Sequence, residues 1–219
     1  MTNMDNLVRR IFRHYLPLII LSAIAGYIFY LTWQEKDTIT IITDATGYIS
    51  LILLVITLIL GPLNILFKRK NPVSTYFRRD LGIYGGSLAV VHSAAGLFVH
   101  LRGKPWLYFF IESDNTLSIR FDRFGIANHT GLFGALIIIL LLVISNDFSL
   151  KKLKTSRWKN LQRLSYFMFI FIMIHSILYR VSANDNHLIF YLYIPLFLFV
   201  LIVQLAGLKQ RTGIRNNQL

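Results

Sequence analysis

The chain has 219 residues, 55% of them hydrophobic, and a mean hydropathy of +0.56, a composition that excludes an ordinary water-soluble domain around one buried core. Its formal charge of +13 comes from Lys and Arg clusters set between apolar runs, not on one face or in one tail, so membrane topology accounts for it and nucleic-acid binding does not. With no cysteine, disulfides and thiolate-bound metal centres are excluded in this chain.

Six windows approach the ~20 residues that ~30 Å of hydrocarbon requires. In chain order they are Tyr15–Trp33, Gly47–Phe67, Asp80–Leu101, Gly125–Ser145, Leu164–Val181 and Leu188–Leu208. The first follows Arg9, Arg10 and Arg13 without a small-x-small cleavage pattern behind it, so an uncleaved anchor is expected. Seventeen of the 23 basic residues fall on the side that holds both termini and the second-to-third and fourth-to-fifth loops. Positive-inside bias makes that side cytoplasmic. The expected fold is all-α: a polytopic bundle of six transmembrane helices with cytoplasmic N- and C-termini, multi-pass in the cell (inner) membrane, with the lipid bilayer as its first partner.

No linker, repeat or low-complexity tract divides the chain, so residues 1–219 are expected to form a single integral membrane domain. The longest stretch outside the spans, Arg102–Phe124, carries Trp106, Leu107, Tyr108, Phe109 and Phe110, a cluster suited to the headgroup level. There is no Gly-rich dinucleotide fingerprint and no extramembrane segment large enough for a flavin or nicotinamide. Any reductant must be delivered.

Two histidines lie deep in apolar runs, where ionisable groups are expensive and usually functional. His92 is thirteen residues past Arg79, about 20 Å along a helix rising ~1.5 Å per residue, and His175 is twelve past Arg163, about 18 Å. Both spans run outward, so the imidazoles reach one depth in the outer leaflet, a pattern that suits two axial ligands of one b-type haem iron. Gly85, Ala89 and Gly96 leave the His92 stripe bare of bulk, and Met168, Phe171 and Tyr179 share the face of His175. The competing explanation is close helix packing, with each ring hydrogen-bonded to a neighbouring backbone. His100, eight residues past His92, is rotated roughly 80° and raised ~12 Å, to the outer interface, where a propionate contact, an alternative ligand and a solvated histidine all remain open. Arg102, Lys104 and Arg180 stand at the outer ends of the two helices, where cations pair with propionates or snorkel. His129, beside Asn128 and Thr130, reads as a cap or interfacial polar cluster, and His14 and His187 read as interfacial.

Several ordered motifs resemble the ferric reductase-like transmembrane domain family: Gly61-Pro62-Leu63-Asn64, Asn71-Pro72-Val73-Ser74 and Arg78-Arg79-Asp80-Leu81-Gly82 before His92, then Ser145-Asn146-Asp147 and Arg157-Trp158-Lys159-Asn160-Leu161-Gln162-Arg163-Leu164 before Tyr166 and His175. The likeness runs from about Gly47 to about Val181. It implies a six-helix haem b membrane core related to iron reductases, NADPH oxidase membrane domains and the haem subunit of periplasmic methionine-sulfoxide reductase systems. Two-haem members of the family place a further histidine about thirteen residues before each outer ligand. Here those positions hold Arg79 and Gln162, so the resemblance implies one haem per chain, on the outer side.

The leading expectation is a membrane electron-transfer protein in which His92 and His175 hold iron and His100, Arg102 and Arg180 attend the cofactor. Electrons come from a quinol or a partner flavoprotein and pass to an outer acceptor, a ferric complex or an oxidoreductase partner. Whether the chain is a ferric reductase-like oxidoreductase or only a relay stays open. Two rivals stand beside it: a cross-membrane reductase with a second cofactor near Gln162 and a dehydrogenase docked on the basic loops, and a cofactor-free scaffold or assembly factor that retained the fold.

Overall fold

The computed structural model describes residues 3–67, 75–113, 116–183 and 186–216; the Asn71–Ser74 motif and the cations Lys68–Lys70 lie outside them. The elements are α1 (Asn3–Arg10), a π-helical turn (Ile11–Tyr15), α2 (Leu16–Thr32), α3 (Thr38–Leu66), α4 (Thr75–Gly96), a short 3₁₀ turn (Pro105–Tyr108), strands β1 (Phe110–Ser113) and β2 (Thr116–Ile119), α5 (Arg123–Ile144), α6 (Asp147–Gln162), α7 (Leu164–Ser182), a second π-helical turn (Ile189–Tyr193) and α8 (Ile194–Asn216). The protein is an all-α, multi-pass membrane protein, and each of the six anticipated windows falls on one of α2, α3, α4, α5, α7 and α8 with its leading turn. Among the described residues, five stretches are long and apolar enough to cross a bilayer by themselves: Leu7–Thr32, Thr38–Leu66, Arg123–Ile144, Asp147–Ser182 and Ile189–Thr212. Helix α4 is not among them, because Arg78, Arg79, Asp80, His92 and its run of glycines dilute its apolar content.

Several boundaries move for local reasons. Helix α3 begins nine residues before Gly47 because Asp37 caps it, its carboxylate accepting the Thr40 N–H at 3.3 Å. Helix α4 ends at Gly96, five residues short of Leu101, where Tyr108 takes over its terminal backbone groups. The six basic residues expected in the fourth-to-fifth loop lie instead on or just after α6, whose N-cap Asn146 accepts the Ser149 N–H at 2.8 Å. Helix α6 is broken at Lys154, a non-glycine at φ 60.

The chain divides into two compact units, residues 1–92 with 203–219, and residues 93–202. In the first, glycines let α3 and α4 approach: a Cβ on Gly82 would lie 3.3 Å from Thr57, and one on Gly85 would lie 3.0 Å from Leu53. Leu51, Leu53, Leu54, Val55 and Leu58 of α3 and Leu81 and Ala89 of α4 are buried there. Pro62 interrupts the α3 ladder, since it has no N–H to give the carbonyl of Leu58. The Gln204 side chain fills that gap from α8, donating Nε2–H to the Leu58 carbonyl at 2.9 Å. Gly207, one turn on, admits the Pro62 ring, which a Cβ would meet at 2.7 Å. Helix α2 buries no side chain. It is held at its outer end, where Phe29 stacks on Tyr48 at 5.7 Å and Lys36 lies 4.0 Å over Trp33 and 3.0 Å from Asp44.

The second unit is built on α5 packed against α7, with Gly134 facing Ile172. Within Arg102–Phe124, the stretch expected to lie outside the spans with its aromatic cluster at the headgroup level, the described residues form the 3₁₀ turn and an antiparallel strand pair in which Phe110 pairs with Ile119 and Ser113 with Thr116. Both strands are exposed on every residue, so alternation carries no burial signal there. Main-chain and side-chain bonds from Arg120 to the carbonyls of Phe109 (2.8 Å) and Leu107 (3.0 Å) tie the hairpin down.

Candidate functional site

His92 and His175 occur in two constructions of the same design, one in each unit. In the first, His92 donates Nδ1–H to the carbonyl of Thr43 on α3 at 2.8 Å. In the second, His175 donates Nδ1–H to the carbonyl of Ala127 on α5 at 2.8 Å. Four residues past each carbonyl stands a glycine, Gly47 or Gly131, and a Cβ on either would come within 2.7 Å of the imidazole Nδ1. The reason is geometric. A helical carbonyl has a second lone pair, but the side chain one turn further on shields it, so an outside donor reaches it only where that residue is glycine.

This bond selects the ring tautomer. With Nδ1 protonated and donating, the neutral imidazole carries its lone pair on Nε2, the form in which histidine ligates metals, and a carbonyl acceptor for the other nitrogen is the usual outer partner of such a ligand. The backbone hydrogen bonds foreseen as the competing explanation are therefore real, and they are also the support a metal-ligating histidine needs. The donor set fits a haem iron: neutral nitrogen ligands on helices, with fixed ring orientation and small or apolar neighbours. Ala89 is buried on the His92 stripe, and Met168 is buried on α7.

Above His175 an aromatic series continues outward within the second unit. Tyr179 lies 5.6 Å from His175, and His100 lies 5.8 Å from Tyr179 and 6.0 Å from Phe124. His100 is held by its backbone: its N–H and that of Leu101 donate to the Tyr108 hydroxyl at 2.9 and 3.3 Å, while that hydroxyl donates to the Gly96 carbonyl at 2.9 Å. Tyr108 is 2% exposed and thus serves as a buried cap for the end of α4. Sequence reasoning had placed it in the aromatic belt. His100, Arg120, Phe124, Tyr179 and Ser182 line a cavity of about 340 Å³. Arg102 turns back onto its own chain, Nε donating to the Phe98 carbonyl at 3.1 Å, and Arg180 stands in the last turn of α7. Arg120, not anticipated as a site residue, chelates Asp122 through Nε at 2.9 and 3.0 Å.

His129 does not join a polar cluster, because Asn128 and Thr130 each bond back to carbonyls of their own helix. Its Nε2 is buried and unpartnered among the described residues. Gln162, where the family resemblance led to an expected histidine in two-haem members, donates to the Ser145 hydroxyl at 3.4 Å.

The first unit also holds a centre that sequence reasoning missed. Asp80 is fully buried and accepts from Arg10, from His14 Nδ1 at 2.6 Å and from the Tyr15 hydroxyl at 3.1 Å. His14 is thus no incidental interfacial residue. The only hint in the sequence was one acid among many bases at the start of a span.

Fold and site define a polytopic helical membrane protein with carbonyl-anchored intramembrane histidines. The chain belongs to the family described as ferric reductase like transmembrane component, whose profile matches residues 46–173 and ends two residues before His175. It is 31% identical over 159 residues, covering 70% of this chain and 67% of the relative, to the protein-methionine-sulfoxide reductase heme-binding subunit MsrQ of Xanthomonas axonopodis pv. citri (strain 306).

Proposed function

We propose that the protein is a membrane haem b electron carrier of the inner membrane, with His92 and His175 as the residues that would hold one haem. The observation that carries this reading is the duplicated construction of histidine, carbonyl and glycine, which gives both rings the same tautomer and rigid support. Family membership and the likeness to a haem-binding subunit support it. When bound, haem supplies one-electron Fe(III)/Fe(II) chemistry.

The chain's own residues set the conditions for that chemistry. Thr43 and Ala127 hold the rings in the tautomer that leaves Nε2 for a metal; Tyr179 and His100 extend aromatic contact toward the outer face; Arg102 and Arg180 would supply cations for propionates at the outer helix ends. The donor is a quinol dissolved in the bilayer or a partner flavoprotein, since the sequence carries no dinucleotide fingerprint of its own. The acceptor is an oxidoreductase on the outer side, and the name of the relative points to a protein-methionine-sulfoxide reductase as its class.

The purified protein, expressed with haem supplied, is expected to carry one pyridine-extractable haem per chain and to give a low-spin b-type spectrum. Protein without a Soret band would leave only the cofactor-free scaffold, and two haems per chain would support the cross-membrane reductase.

A further inference from the structure

The buried Asp80 carboxylate gathers three side chains of one short N-terminal segment. Arg10, His14 and Tyr15 come from one short segment that crosses a π-helical turn, marked by the Leu16 N–H reaching the Ile11 carbonyl five residues back. In a regular α-helix Tyr15 would sit roughly 140° around the axis from Arg10. The wider turn brings both onto the face that His14 shares, and all three converge on one carboxylate. π-Bulges of this kind concentrate at functional sites.

The roles of the three donors differ. Arg10 and Tyr15 neutralise and fix the carboxylate, with Arg10 itself lying 5.2 Å over the Tyr76 ring. His14 is oriented by it: Nδ1–H points at Asp80, and Phe77 packs edge-on against the ring at 5.3 Å. In the neutral ring the lone pair is then on Nε2, which has no hydrogen-bond partner among the described residues, and the side chain is 17% exposed. An imidazole held in one tautomer by a buried carboxylate, with its other nitrogen presented outward, is the arrangement of a general base. It sits at the beginning of α4, twelve residues or about 18 Å of helix before His92, on the side the basic residues mark as cytoplasmic. Helix α2, which follows it, buries no side chain.

We infer that the His14–Asp80 dyad is the proton acceptor of a quinol-oxidation site, its ligand a membrane-dissolved para-quinol. This rests on the electron-carrier reading above. In the step, a quinol O–H bond breaks, its proton goes to His14 Nε2, and Asp80 stabilises the imidazolium. One electron would go to the iron that His92 and His175 are proposed to hold. His14 releases the proton to the cytoplasmic headgroup side and accepts the second. Each quinol thus becomes quinone, with two protons released and two electrons delivered one at a time to the single haem iron, which would pass the first to the outer acceptor before it takes the second.

The test is anaerobic stopped-flow reduction of the haem-loaded full chain in nanodiscs by menadiol or duroquinol, with dithionite as the control reductant. H14Q is expected to keep the wild-type spectrum and dithionite reduction while losing about 100-fold or more of the quinol rate, within the range for a lost general base. Added imidazole is expected to restore part of that rate, which a merely structural role of His14 would not allow. A quinol rate in H14Q equal to wild type overturns the dyad assignment and leaves the electron-carrier reading intact. A wild-type protein that dithionite reduces but neither quinol does overturns the quinol donor as well. Independently of haem, quenching of a fluorescent hydroxyquinoline N-oxide quinol analogue is expected to saturate on the wild type and to weaken at least tenfold in D80N. Equal binding by both contradicts a site at the dyad.

Discussion

His175 donates its Nδ1–H to the Ala127 carbonyl at 2.8 Å across α7 and α5, and Gly131, one turn past that carbonyl, is what makes the approach possible. Gly131→Ala would place a Cβ 2.7 Å from the ring nitrogen and break this contact, whereas Gly134→Ala would meet Ile172 at an ordinary 3.4 Å. Haem affinity, titrated into apoprotein, is expected to fall roughly 10- to 100-fold in G131A, the usual effect of losing a ligand's outer support. G134A should retain it. Equal affinities would remove the carbonyl anchor from the account.

Gln204 and Pro62 are coupled through one carbonyl. Gln204→Leu strands the Leu58 oxygen and is expected to cost about 1–3 kcal/mol in reversible detergent unfolding. In a Pro62→Ala background residue 62 regains an N–H for that same oxygen, so the cost of Q204L should shrink to a fraction of its former value. Additive effects in the double-mutant cycle would show that the two do not share an acceptor.

Tyr108→Phe removes one hydroxyl that serves three backbone groups at the end of α4. Because the side chain is buried, a loss of roughly 1–3 kcal/mol is expected, with increased amide exchange at His100 and Leu101. Unchanged exchange there would mean that Tyr108 does not hold this segment.

Asp122 gives a pH prediction outside the membrane. Partial burial raises its carboxyl pKa, but the Gly125 N–H and the Arg120 guanidinium outweigh that and hold it below the usual carboxylate range. A group with a depressed folded pKa contributes its stabilisation above the unfolded value and loses it as pH falls through the folded one. Wild-type melting temperature should therefore drop more steeply than that of Asp122→Ala on acidification below about pH 4. Parallel curves would assign no stabilisation to this cap.

The spans and the two deep histidines are legible in the sequence because hydropathy and rise per residue are one-dimensional quantities. The partners of those histidines are less so. Any residue has a carbonyl, and only Gly47 and Gly131, each four past its acceptor, leave a trace. The Asp80 centre was hidden for a different reason: seventy residues separate Arg10 from Asp80, and a π-helical turn breaks the 3.6-residue periodicity that would have grouped Arg10, His14 and Tyr15. The hairpin at Phe110–Ile119 escaped notice because its strands are exposed on every residue.

The most direct test of the central claim is the oxidised and reduced spectrum, with low-temperature electron paramagnetic resonance, of the wild type, His92→Ala and His175→Ala. The account predicts one low-spin b-type haem in the wild type and loss of the low-spin signal, through high-spin conversion or loss of haem, in each variant. A wild-type low-spin signal in both variants would contradict it.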